Sequence, residues 1–79
     1  MKSDSDKELF DLAKQYVMLD NELRKDGLPE YELDEIKDGL EDIRNIILNK
    51  EYNIDKFVEY QELYREMTIA EYFEFIKTL

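Results

Sequence analysis

Seventy-nine residues carry 21 acids against 11 bases, a formal charge of −10, with no histidine, cysteine or tryptophan. A chain this short makes one domain with a small core, held by ~3–5 kcal/mol, and its 43% hydrophobic content excludes wholesale disorder. The charge disfavours free nucleic acid and anionic membranes as partners and favours a basic protein surface.

Missing residue types exclude more. Without histidine or cysteine there is no usual general base near neutral pH, no thiolate nucleophile and no histidine-containing metal site. A di-iron bundle needs Glu-x-x-His motifs, and a calcium loop centred on Gly27 fails at Glu22, Arg24 and Leu33. Gly27 and Gly39 are the only glycines, so no phosphate-cradling loop exists. The expectation is a binding protein, not an enzyme, with no cofactor. The start, Met1-Lys2-Ser3-Asp4-Ser5-Asp6, lacks the apolar run of a signal peptide, and no apolar stretch reaches membrane-spanning length. A cytoplasmic protein is expected.

In chain order, Ser5 and Glu8 have the spacing of a capping box. Leu9, Leu12, Tyr16, Leu19 and Leu23 then recur at 3-4-3-4 spacing, widened by Phe10, Ala13 and Val17, which predicts a first helix over 5–25. Gly27 reads as its left-handed stop. Pro29 suits the first turn of a second helix over 30–49, striped by Leu33, Ile36, Leu40, Ile43 and Ile47. The short connection predicts an antiparallel hairpin. Gly39 inside that helix marks either close packing or a bend.

Asn53 caps a third helix over 54–67 with Phe57, Tyr60, Tyr64 and Met67 inward. Thr68 and Glu71 form a capping box that restarts the chain as a helix over 69–78, either broken or merely kinked from the third. Strand patterns and repeats are absent. The fold class is all-α, a small three- or four-helix bundle.

Two features bear on function. Glu30, Glu32, Asp34, Glu35, Asp38, Glu41 and Asp42 crowd the start of the second helix against a single base, Lys37. With the apolar stripe inward, Asp34, Asp38, Glu41 and Asp42 face solvent, about 5–6 Å apart per turn, a pitch comparable to nucleic-acid phosphates. The plain alternative is a solvated face whose first acids complement the helix dipole. The second feature is seven aromatics from Tyr52 onward. Phe57, Tyr60, Tyr64 and Phe73 fit a core stripe; Tyr52, Tyr72 and Phe75 cannot all be buried on one face, which leaves Tyr72 and Phe75 as the expected outward anchors in an acidic rim that suits arginines.

The expected site residues are therefore Asp34, Glu35, Asp38, Glu41, Asp42, Tyr72 and Phe75. The leading expectation is an inhibitor or regulator that occludes a basic, nucleic-acid-binding partner. Small acidic helical inhibitors from phage and mobile elements, anti-CRISPR proteins included, share this size and charge, though no motif carries a family resemblance. One alternative is a structural component or homodimer joined through the aromatic C-terminal segment. Another is an immunity protein or antitoxin against a basic nuclease.

Overall fold

The computed structural model describes residues 4–79, with side chains from Ser5 onward. Its elements are α1 (Asp4–Leu23), α2 (Glu30–Asn49), α3 (Ile54–Glu66) and α4 (Ile69–Thr78), with no strand among the described residues. The protein is a small all-α bundle.

The long first stripe makes α1 the hub. Leu9, Phe10, Leu12, Ala13 and Val17 are buried along it, and α2 and α3 both pack on it while touching each other little. From α2 come Leu40, Ile43 and Ile47, and from α3 Phe57 and Tyr60. Gly39 lets α1 approach closely: a Cβ there would stand 3.0 Å from Leu19 Cδ1. Close packing, not a bend, is its role.

The helix ends follow local chemistry with three departures from expectation. The Ser5–Glu8 capping box does not form, because α1 has begun by Asp4 and the Glu8 carboxylate is engaged by Lys50 and Tyr52. Gly27 is left-handed at φ 79°, but α1 ends four residues earlier, at Leu23. The amides of Arg24 and Lys25 reach back only to Asn21 and Glu22, tight turns that unwind the helix before glycine is reached. Pro29 is the cap of α2, not a member of its first turn; its carbonyl accepts from Glu32 and Leu33 at 3.1 Å each.

α2 closes with a Schellman motif. The Tyr52 amide reaches the Ile47 carbonyl at 3.0 Å and the Glu51 amide that of Leu48 at 3.2 Å, with Glu51 left-handed at φ 57°. Asn53 Oδ1 then caps α3 on the Lys56 amide at 3.1 Å. The chain breaks at Met67 and Thr68, both extended, and both bonds of the Thr68–Glu71 capping box are made.

That break corrects the aromatic expectations. Tyr72 and Phe75 are half-buried against the core, with Phe10 as their shared neighbour at ring separations of 6.1 and 4.7 Å. Phe73, expected inward, is 54% exposed. The physical reason is phase. Two extended residues let α4 rotate freely relative to α3, and α4 has two adjoining apolar stripes to choose between. It turns Tyr72 and Phe75 half inward, with Leu79 buried just past its end, and leaves Ile69, Phe73 and Ile76 outside.

Candidate functional site

The outer face of α2 collects the acids. Asp34, Glu35, Asp38, Glu41 and Asp42 are all exposed, on the side of α2 away from the buried Leu40, Ile43 and Ile47. A helix turns about 100° per residue, so Asp34, Asp38 and Asp42 run as one row about 12 Å long, with Glu41 and Glu35 on its two flanks. Among the described residues none of the five makes an ion pair. They form a row, not a cage: no cluster of described side chains could hold a metal ion.

The cations are engaged elsewhere. Asp20 receives Arg24 at 3.2 Å and Arg65 at 2.9 Å, linking α1 to α3. Lys14 donates to the Tyr72 hydroxyl at 2.9 Å, Arg44 to that of Tyr16 at 3.2 Å, and Lys56 lies over the Tyr60 ring. Glu8 binds Lys50 through one oxygen and the Tyr52 hydroxyl, at 2.7 Å, through the other. Those bonds, to Lys50 first and then Tyr52, hold the Glu8 carboxyl below its ordinary pKa. The same pairing with Glu8 pushes Lys50 and Tyr52 up. Apart from Lys7 and Lys37, the cations with described side chains are bound to other partners, and Lys37, which stands within the acidic run, makes no ion pair with it.

An aromatic stands in that face which the sequence pattern did not single out. Tyr31, 66% exposed, lies one turn before Asp34 and Glu35 on the same outer arc. The signal for it was its absence from the Leu33–Ile36–Leu40 stripe. The juxtaposition of aromatic and acids expected around Tyr72 and Phe75 occurs here instead. Those two are half-buried and pack against the core.

Two concavities accompany the face. One, of about 410 Å³, lies beneath the start of α4 between Val17, Tyr64, Met67 and Ile69. The other, of about 490 Å³, separates α2 from α3 over Tyr16 of α1. No helix among the described residues is long and apolar enough to cross a membrane. No protein-family model matches the chain, and no curated protein or solved structure is similar to it.

Proposed function

We propose that this protein is a binding protein, not an enzyme, that occupies the nucleic-acid-binding groove of a basic partner. The observation that carries this is the uncompensated row on α2: Asp34, Glu35, Asp38, Glu41 and Asp42 exposed, none paired. A rigid helix presents these carboxylates at a pitch that lysines and arginines built for a phosphate backbone accept. Tyr31 adds a ring on which an arginine plane stacks. The mechanism is occlusion: while the acidic face fills the groove, nucleic acid is excluded. Phage inhibitors and immunity proteins against nucleases would use the same physics on different partners, and the cytoplasm is the compartment where such targets lie.

The test is capture of partners by the tagged chain at low and high salt, followed by competition. A basic partner released by salt, and losing its nucleic acid when this chain is added, is the expected result. The variant Asp38→Lys, Glu41→Lys, Asp42→Lys should lose the partner while keeping its helical circular dichroism. Undiminished capture by that folded variant would sink the proposal.

A second reading rests on a separate observation. Ile69, Phe73 and Ile76 form an exposed apolar stripe on α4, at 77%, 54% and 38% exposure. Such a stripe suits a homodimer or assembly contact through the C-terminal helix, carried by these residues instead of Tyr72 and Phe75. Phe73→Ser should then change the oligomeric state measured by sedimentation equilibrium, and a wild type monomeric at all concentrations counts against it.

A further inference from the structure

We propose that the groove between α2 and α3 is the apolar anchor site for an amphipathic, lysine- or arginine-bearing helix of the same basic partner. This rests on the proposed acidic-face function and names the element of the partner that face would hold.

The groove exists because α1 alone joins α2 and α3. Tyr16 forms the floor, with Ile47 and Phe57 on the walls. Above them stand Leu48, Ile54 and Val58 at 62%, 54% and 45% exposure, three large apolar residues at one opening. Lone exposed apolar residues are ordinary; a contiguous set rimming a cleft is not. From Ile54 to Gln61 the groove follows α3 for about 10 Å, the rise of two helical turns. That length matches the i, i+4, i+7 anchors of a helix lying in a groove.

Charge selects the occupant. Glu41 lies two turns before Leu48 on the same edge of α2, so the opening runs directly into the acidic row. Glu51 lies in the turn that joins α2 to α3, and Asp55 and Glu62 follow Ile54 and Val58 along α3; all are exposed and unpaired. Two cations share the α2 edge, Lys37 and Arg44. Arg44 is turned onto Tyr16, its Nε donating to the hydroxyl and its guanidinium 5.8 Å from the ring centre. Arg44 lines the groove and Lys37 makes no ion pair, but Glu41, Glu51, Asp55, Glu62 and the α2 row outnumber them, so the opening and the adjoining face together are net negative. A helix with apolar residues on one side and cations flanking them satisfies groove and rim at once. A second copy of this chain, at −10, brings like charge to the same rim.

The test uses the full chain and a fluorescein-labelled, lysine-rich helical peptide with leucines at i, i+4 and i+7. A control peptide carries serines in place of the leucines at unchanged charge. The leucine peptide should bind the wild type roughly tenfold more tightly than the serine peptide. Leu48→Ser combined with Val58→Ser should remove that advantage. Both positions are exposed, so circular dichroism should match the wild type. Equal binding of the two peptides, or full leucine-peptide affinity in the double variant, overturns the groove. If the α2 charge-reversal variant then abolishes binding of both peptides, the acidic-face function survives without it. If reversal leaves both unchanged, that function falls as well. A concentration-dependent dimer dissolved by the double variant would assign the groove to a second copy and overturn the proposal.

Discussion

Glu51 and Tyr60 sit where local rules are broken, and each break has a measurable consequence. Glu51 adopts φ 57° because the Schellman closure of α2 demands a left-handed residue at that point. A side chain there costs roughly 1–2 kcal/mol that glycine avoids, offset in part by glycine's freedom in the unfolded chain. Glu51→Gly should therefore exceed Glu51→Ala, which removes the same charge, by about 1 kcal/mol in urea denaturation. Equal stabilities would show that the strain is relieved elsewhere. Tyr60 is buried, yet its hydroxyl makes no hydrogen bond. Burial pushes its pKa up, and the nearby Lys56 offsets only part of that. Tyr60→Phe keeps the ring packed against Phe10 at 5.4 Å and removes the orphaned oxygen. It should raise stability by about 1 kcal/mol, read as a higher melting temperature.

Helix contacts are decided by a few steric facts. Gly39 faces Leu19 of α1, and its helix cost of about 1 kcal/mol is what allows that side chain to lie against the α2 backbone. The atom facing it is the tip of a half-buried, rotatable leucine, so one methyl can be accommodated. Gly39→Ala should gain less than about 1 kcal/mol, whereas Gly39→Val, larger and β-branched, should lose about 1–3 kcal/mol. A loss with alanine would mean that Leu19 is locked by its neighbours. The caps at Asn53 and at Thr68–Glu71 were legible, because capping is local chemistry, but whether the chain breaks or only kinks at Thr68 was not. Which side of α4 faces inward was not legible, since the break at Met67 and Thr68 discards the phase that periodicity carries.

Across the whole molecule, charge is divided between pairs that tie the fold and a face left open. Glu8 belongs to the first group, joining α1 to the turn before α3 through Lys50 and Tyr52. Its folded pKa lies below the ordinary 4.5, so its stabilisation is complete above that range and is lost as pH falls through it. Glu8→Gln should thus melt below the wild type at neutral pH, with the gap closing as pH drops below about 4.5. A gap constant down to pH ~3 would exclude a role for that charge.

Sequence by itself determined that the chain is all-helical, where its helices lie to within a few residues, and that acids crowd the outer side of the second helix. Each of these follows from interactions between residues a few positions apart: stripe spacing, caps and turn residues. Only the tertiary structure decided the rest. Glu8 turned from its expected cap to Lys50 and Tyr52, more than forty residues away. Tyr72 and Phe75 went inward and Phe73 outward, because the apolar surface of α1 around the buried Phe10 chose between two apolar stripes of similar quality. The α2–α3 groove likewise has no local signature. It arises because a short chain with one long central helix packs two others against it without closing them on each other.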